Sequence, residues 1–201
     1  MDCNAFFFRR KIMTERLILA SQSPRRRELL EQIGIEFTVQ PSAVEEKITE
    51  TDPRKVVQEL AHQKAEDVAA SVSEGTVLGA DTIVVLDGKI MGKPKSREHA
   101  VEMLQSLQGR THSVFTGVAL IRKGAGSEQT LQFAEETQVT MYPMSREEIE
   151  NYVDTKEPMD KAGAYGIQGR CAAFIERISG DYNNVVGLPV ARIYQELKNW
   201  K

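Results

Sequence analysis

Two long segments of β-type residues, Thr111–Arg122 and Gln129–Tyr142, follow one another in this sequence and are joined by the turn-like residues GAGS. Strands joined by so short a turn pair in antiparallel order. The rest of the chain alternates strand and helix signals, which is typical of α/β proteins. The sequence therefore predicts an α/β fold with a mixed β-sheet flanked by helices, rather than a purely parallel sheet.

Periodicity and end signals predict the remaining elements. Short strands are expected at Arg16–Ala20, Glu36–Gln40, Val77–Ala80, Ile83–Leu86 and Ala172–Ile178. Helices are expected after Ser23, Asp52, Ser96 and Ser145, with a terminal helix from Pro189. Lys64 shares the apolar stripe of the second helix, so we expect it near the interior edge.

The chain has 201 residues, 41% hydrophobic and 27% charged, with a net charge of −3, which is the composition of one ordinary soluble domain. The chain has no overall positive charge that would favour binding to nucleic acid, so no nucleic-acid partner is expected. The two cysteines, Cys3 and Cys171, form no CxxC pair and indicate neither a zinc site nor a disulfide framework. Two unpaired thiols in a reducing cytosol are the simpler interpretation, which predicts a cytoplasmic protein.

The N-terminal stretch MDCNAFFFRRKIM has an apolar core of only Phe6–Phe8, which is too short for a signal peptide. No apolar run approaches the roughly 20 residues of a membrane span, so no membrane association is expected. We interpret residues 1–12 as an N-terminal extension or a start-site artefact, and residues 13–201 as the domain. An amphipathic anchor is the alternative interpretation of the first twelve residues.

Three consecutive arginines, Arg25, Arg26 and Arg27, stand at the start of the first predicted helix. This is the positive end of the helix dipole, where each added cation costs roughly 0.3–1 kcal/mol. A phosphate ligand reverses that cost, because free N–H groups and guanidinium groups both bind phosphate oxygens. Successive helical positions diverge by about 100°, so one or two arginines are expected to face the ligand. A solvated basic turn is the alternative.

Asp81 ends the apolar run GTVLGA, and strand ends in α/β sheets are where ligands bind. Its carboxylate can hold a divalent metal or act as a base toward water, and a turn or capping role is the alternative. Glu45-Glu46 supplies further carboxylates in a loop, and Lys93 lies in the rigid turn MGKP. Together with the arginines, these residues could bind a phosphate group through their cations and a divalent metal ion through their carboxylates. A Walker A loop and the GxGxxG spacing are absent, which argues against ATPase and dinucleotide-binding proteins.

Several motifs in a fixed order make the chain similar to the Maf family of nucleoside triphosphate pyrophosphatases, once named for septum inhibition. The resemblance runs from about residue 16 to residue 197 and is carried by LILASQSPRR at 17–26, VEE at 44–46, AHQKA at 61–65, LGADT at 78–82, GKP at 92–94, DKAGAYGIQG at 160–169 and VVGLP at 185–189. It points to the branch acting on dTTP and UTP, because relatives acting on 7-methyl-GTP carry Trp after SP, and GSDQ in place of GADT.

This resemblance implies hydrolysis of dTTP, UTP and modified pyrimidine nucleotides to a nucleoside monophosphate and pyrophosphate. It implies an elongated, two-lobed single domain with a nucleotide cleft. The implied catalytic positions are Asp81 as proton acceptor, Glu45, Lys64 and Lys93, and the implied specificity positions are Arg25, Thr82 and Gln168. The implied phosphate-binding positions are Ser21, Arg25 and Arg26. Mg²⁺ or Mn²⁺ would be held by Asp81 and Glu45, and whether Asp81 is base or metal ligand stays open.

A non-catalytic nucleotide-binding regulator of septum formation is the alternative function. The carboxylates that accompany the cations favour an enzyme over this alternative. A protein that only binds an anion gains nothing from carboxylates next to the bound phosphate. Nucleoside triphosphates are the expected partners. Dimers are the common homo-oligomer, and no face of the sequence indicates or excludes a homodimer.

Gln168 lies between Gly166 and Gly169, where the backbone can bring its amide close to a ligand. An amide offers a donor and an acceptor side by side, which fits O4 and N3–H of uracil or thymine. Thr82 is expected to narrow the pocket and so to exclude a purine base. The alternative is that Gln168 only ties down the glycine-rich loop.

Overall fold

A computed structural model describes residues 16–124 and 126–200, and within these ranges seven strands form one sheet flanked by six helices. The strands are β1 (Leu17–Leu19), β2 (Phe37–Val39), β3 (Gly75–Leu86), β4 (Lys89–Met91), β5 (Thr111–Gly124), β6 (Ser127–Met141) and β7 (Ile175–Ser179). The helices are α1 (Pro24–Gln32), α2 (Pro53–Ala69), α3 (Arg97–Leu107), α4 (Arg146–Asp154), α5 (Tyr182–Val186) and α6 (Val190–Asn199). Short 3₁₀ segments lie between α4 and β7, at Glu157–Asp160, Ala162–Ala164 and Arg170–Phe174.

The sheet has the order β2-β1-β3-β5-β6-β7, with β4 also paired to β3. β1 is parallel to both β2 and β3, and the other pairs are antiparallel. β5 and β6 stay in register from Thr111 opposite Thr140 to Gly124 opposite Ser127. The mixed sheet and its long antiparallel pair are therefore confirmed.

The strand around Asp81 differs from the prediction. The two predicted short strands belong to one continuous strand, β3, and Asp81 lies in its middle, opposite Gly117 of β5. The expected strand end at Asp81 was wrong because the backbone ladder continues past the polar side chains. The last strand begins at Ile175 rather than Ala172, because a 3₁₀ segment precedes it.

Helix α2 lies directly on the sheet because two glycines remove side chains from the interface. A Cβ atom at Gly79 of β3 would lie 2.2 Å from the Ala61 carbonyl oxygen. A Cβ atom at Gly117 of β5 would lie 2.1 Å from the Val57 carbonyl oxygen. Only glycine permits this approach, which brings Lys64 of α2 over β3.

Two large clusters of buried apolar residues meet at one cleft. Val84 and Tyr165 reach the cleft from the cluster that contains α3 and α4. Ile167 and Val186 reach it from the cluster that contains β1 and α6. This arrangement agrees with the expected cleft between two lobes. The predicted extension, residues 1–12, lies outside the described residues.

None of the helices in the described ranges combines the length and the apolar character that crossing a bilayer requires.

Candidate active site

The cleft has a volume of about 800 Å³ and is lined by the start of α1, the middle of β3 and the glycine-rich segment 161–169. All but one of the site residues predicted from the sequence line it, namely Ser21, Arg25, Arg26, Lys64, Asp81, Thr82, Lys93 and Gln168. Residues separated by more than a hundred positions are thus brought to one cavity. Their individual roles stay predictions.

Of the two acidic loop residues, Glu46 lines the cleft and Glu45 does not, while the role expected for Glu45 stays a prediction. Glu46 Oε1 lies 3.0 Å from Lys64 Nζ. Glu45 is exposed and is not among the described residues that line the cavity.

Lys64 joins two carboxylates in the cleft. Its Nζ lies 2.5 Å from Asp81 Oδ1, and the two side chains are only 15% and 16% exposed. The predicted place of Lys64 at the interior edge is confirmed. Asp81 Oδ2 makes no hydrogen bond with any residue that the structure describes, so this oxygen can accept a hydrogen bond from a ligand or from water.

The carboxylates of Asp81 and Glu46 converge on one cationic position, which Lys64 Nζ holds. The described ranges contain no cluster of three His, Cys, Asp or Glu side chains that would cage a metal. Mg²⁺ needs no such cage, because one or two carboxylates together with substrate phosphates commonly hold it. The donor set therefore fits Mg²⁺ or Mn²⁺ when a phosphate supplies further oxygens.

Arg26 is held in the cleft wall by three hydrogen bonds. Its Nε donates to the Gly187 carbonyl oxygen at 2.9 Å, its Nη1 to Ser21 Oγ at 3.1 Å and its Nη2 to Thr82 Oγ1 at 3.3 Å. Burial lowers the pKa of Arg26, and Asp81 opposes this shift. A guanidinium has five N–H donors, so two remain for a ligand. A partly desolvated cation with spare donors suits an anion such as phosphate.

Arg25 faces the cleft with its guanidinium paired to Asp160. Its Nη1 donates to Asp160 Oδ2 at 2.9 Å, and Asp160 Oδ1 accepts from Lys161 Nζ at 2.7 Å. Burial alone would raise the pKa of Asp160, but the bonds from Lys161 and Arg25 lower it to about 2. Arg27 is exposed and does not line the cavity. Two of the three arginines therefore face the cleft, as expected from their helical spacing.

Helix α1 begins at Pro24 as predicted, but its start is open. The Ser23 side chain makes no capping hydrogen bond, and no acidic residue lies in the first turn. The Ser23 backbone N–H instead donates to Ser21 Oγ at 3.2 Å. The positive end of α1 therefore keeps backbone donors for an anionic ligand.

Sequence reasoning missed Glu157, which holds the glycine-rich loop. Its carboxylate accepts from the Tyr152 hydroxyl at 2.9 Å and from the Arg170 backbone N–H at 3.1 Å. A Cβ atom at Gly169 would lie 2.0 Å from Glu157 Oε1, so the loop lies directly on the carboxylate. The position of Glu157 just before the motif DKAGAYGIQG is the only signal that the sequence offers for it.

Gln168 is exposed in the cleft, and its side chain makes no hydrogen bond with any described residue. No contact of Gln168 among the described residues supports the alternative that it ties down the loop, whereas Tyr152 and Glu157 accept hydrogen bonds from the loop backbone. A base-reading role for Gln168 stays a prediction. Lys93 is likewise exposed at the cleft, where it can reach a charged ligand.

Comparison with known protein families shows which family the chain belongs to. Residues 16–200 match the family of Maf-like proteins. The chain belongs to the Maf family. The resemblance seen in the sequence is thereby confirmed for nearly all of the chain.

Curated relatives of this chain carry the name dTTP/UTP pyrophosphatase. The protein from Agathobacter rectalis is 52% identical, and the match covers 90% of this chain and 96% of the relative. The protein from Bacillus cytotoxicus is 53% identical, with 92% and 96% covered. Among solved structures, the Ham1 protein of Staphylococcus aureus matches 93% of this chain and all of its own, at 16% identity and a TM-score of 0.49.

Proposed function

We propose that this Maf-family protein hydrolyses dTTP and UTP, and modified pyrimidine nucleotides of the same class, between the α- and β-phosphates. The products are a nucleoside monophosphate and pyrophosphate. One observation carries the proposal: the carboxylates of Asp81 and Glu46, joined by Lys64, share one cleft with the cations of α1. The names of the relatives that are 52% and 53% identical support the same substrates.

The cations bind the triphosphate and stabilise the leaving group. Arg26 offers its two spare donors to phosphate oxygens, and Arg25 and Lys93 lie on the same cavity. Negative charge grows on the leaving pyrophosphate in the transition state, so fixed cations stabilise that state more than the ground state. Ser21 contributes by holding the Arg26 guanidinium in place.

Asp81 prepares the water molecule for attack on the α-phosphorus. Lys64 fixes the carboxylate through Oδ1, which leaves Oδ2 to orient the water and accept its proton. If Asp81 is a metal ligand instead of the base, its carboxylate and that of Glu46 would hold Mg²⁺ or Mn²⁺. A bound divalent ion polarises phosphoryl oxygens and offsets their charge.

The proposal also includes the cellular compartment and the binding partners of the protein. Free nucleoside triphosphates are the partners, and the buried, unpaired thiol of Cys171 supports a reducing compartment such as the cytoplasm. A non-catalytic regulator of septum formation has less support, because carboxylates inside the cleft oppose the binding of an anion that is not to be hydrolysed.

Product analysis tests the proposal. Purified protein with dTTP and Mg²⁺ should release pyrophosphate and dTMP in equal amounts, without orthophosphate. Asp81→Asn removes a charge at nearly constant volume, so kcat should fall by about a hundredfold or more while the melting temperature is kept. Asp87→Asn is the matched control, since Asp87 pairs with Arg110 at the surface and should leave kcat unchanged. Release of orthophosphate and dTDP, or wild-type kcat in Asp81→Asn, would contradict the proposal.

A further inference from the structure

A line of hydroxyl groups runs from the cleft into the core. Thr82 Oγ1 lies 2.9 Å from Thr116 Oγ1, which in turn lies 3.0 Å from the Asn184 carbonyl oxygen. Thr82 lines the cleft, whereas Thr116 and Asn184 are completely buried. Thr116 therefore cannot touch a ligand, and its hydroxyl can act on one only through Thr82.

The hydrogen atoms in this line have one consistent direction. The Asn184 carbonyl oxygen can only accept, so Thr116 donates its single hydroxyl hydrogen to it. Thr116 Oγ1 must then accept from Thr82, which uses its own hydrogen for that bond. Thr82 Oγ1 also accepts from Arg26 Nη2 at 3.3 Å. One lone pair of Thr82 remains, so Thr82 can offer a ligand an acceptor and no donor.

The end of the line is fixed by core contacts. Asn184 Nδ2 donates to the Val114 carbonyl oxygen at 3.1 Å and to Thr137 Oγ1 at 3.0 Å. The Asn184 carbonyl oxygen also accepts from the Gly187 backbone N–H at 3.1 Å. The acceptor that orients Thr116 is thus held by β5, β6 and the end of α5, and it does not rotate when a ligand binds.

We infer that Thr116 is a specificity-positioning residue. By holding the Thr82 hydroxyl as an acceptor, it makes the cleft select nucleotides that present an N–H or O–H donor at that point. Uracil and thymine present N3–H, whereas cytosine has an unprotonated N3 in the same place. A sugar hydroxyl is a second source of the same donor. The inference rests on the proposed function, because it requires a pyrimidine nucleotide in the cleft.

The test compares Thr116→Val with Thr116→Ser. Valine has nearly the volume of threonine but no hydroxyl, so it frees Thr82 to rotate and donate. Serine keeps the hydroxyl and is the matched control. The measurement is kcat/KM for UTP, CTP and 3′-deoxyuridine triphosphate with the wild type and both variants, together with each melting temperature.

In Thr116→Val, the preference for UTP over CTP should fall about tenfold, with CTP turnover rising, because one mismatched hydrogen bond is relieved. Thr116→Ser should keep the wild-type ratio. If the preference for UTP over the 3′-deoxy nucleotide falls instead, the selected donor is the sugar hydroxyl, and the inference also holds.

Equal losses for all three nucleotides in Thr116→Val would overturn the inference, since a merely structural role has that effect. Equal behaviour of the valine and serine variants would overturn it as well. If the valine variant does not fold, the wild type decides, because similar kcat/KM values for all three nucleotides would exclude a fixed acceptor. Failure of the proposed function would be seen separately, because the wild type would then release no pyrophosphate from any of the three nucleotides.

Discussion

At the scale of single residues, Lys64 controls the charge balance of the cleft. Its ammonium group contacts both Asp81 and Glu46, so each carboxylate is held in the orientation in which it meets a ligand. The hydrogen bond from Lys64 to Asp81 is charge-assisted, and the low exposure of both side chains strengthens it. The chemistry of the site therefore depends on which acidic side chain of the loop reaches Lys64.

Glu46→Gln tests this dependence against Glu45→Gln on the neighbouring residue. Loss of the Glu46 charge should lower kcat/KM for dTTP by about tenfold or more, and should raise the Mg²⁺ concentration needed for half-maximal activity. Glu45 does not line the cleft, so the same substitution there should have a clearly smaller effect. Steady-state pyrophosphate release over a series of Mg²⁺ concentrations measures both. The reverse ranking of the two variants would contradict the proposed role of Glu46.

Some of the residues that line the cleft could be predicted from the sequence because their chemistry is unusual for their local position, whereas others, such as Ser21, were expected only from the family resemblance. Arginines at a helix start, and a carboxylate such as Asp81 in an apolar run, are visible without a structure. Which of Glu45 and Glu46 lines the cleft could not be predicted, because their loop has no periodic pattern that shows which side chains face inward. Thr116 could not be predicted either, since a β-branched residue in a strand already has an ordinary explanation.

At the scale of elements, the contact of α2 with β3 positions Lys64 against Asp81. Gly79 precedes Asp81 by two residues and lies against the turn of α2 that contains Ala61 and Ala65. Lys64 belongs to the same turn. The distance between Lys64 and Asp81 is therefore set by how closely the helix backbone approaches the strand.

Gly79→Ala should separate the helix from the strand. The new Cβ would lie 2.2 Å from the Ala61 carbonyl oxygen, so α2 must move outward. We expect a loss of about 1–3 kcal/mol in the free energy of unfolding. We also expect kcat to fall, because Lys64 moves with the helix.

Gly124→Ala is the control for this substitution, because nothing lies within 4 Å of a Cβ at Gly124. Urea unfolding and kcat for dTTP measure both effects. If Gly79→Ala and Gly124→Ala were equally stable and equally active, the glycine contact would not position the pair.

Elements with a clear period or end signal could be predicted, including the short strands β1 and β2, whereas an element without such a signal could not. The β5–β6 pair and α2 are long enough to show a period, and the structure confirms them. Helix α5 has only five residues, too few to show a helical period, yet it supplies Asn184 to the buried hydroxyl line. The interruption predicted at Asp81 was wrong because side-chain polarity does not report on the backbone pairing of β3.

At the scale of the whole molecule, the core places a neutral histidine between the sheet and the glycine-rich segment. His112 of β5 is 3% exposed, and its Nε2 lies 2.7 Å from the Tyr165 hydroxyl. Burial lowers the pKa of His112 from 6.5 to about 4. The unfolded chain therefore binds a proton at this residue at a higher pH than the folded protein does.

The stability of the whole fold should depend on pH through His112. Between pH 6.5 and pH 4 the unfolded state holds more protons, so the free energy of unfolding falls as the pH falls. The contribution reaches about 3 kcal/mol at pH 4. Urea titrations at pH 7 and pH 4.5 should show a smaller decrease for His112→Gln than for the wild type.

His99→Gln is the control, because His99 is only half-buried and its substitution leaves His112 in place. This variant should keep the wild-type decrease between pH 7 and pH 4.5. Equal decreases for His112→Gln and the wild type would show that another group causes the pH dependence.

Hydrolysis of dTTP in H₂¹⁸O tests most directly the claim that the cleft directs water to the α-phosphorus. The oxygen atom from water remains on the phosphorus atom that was attacked, and mass spectrometry of the products locates it. We predict one labelled oxygen in dTMP and none in pyrophosphate. Label in pyrophosphate, or labelled orthophosphate, would contradict attack at the α-phosphorus.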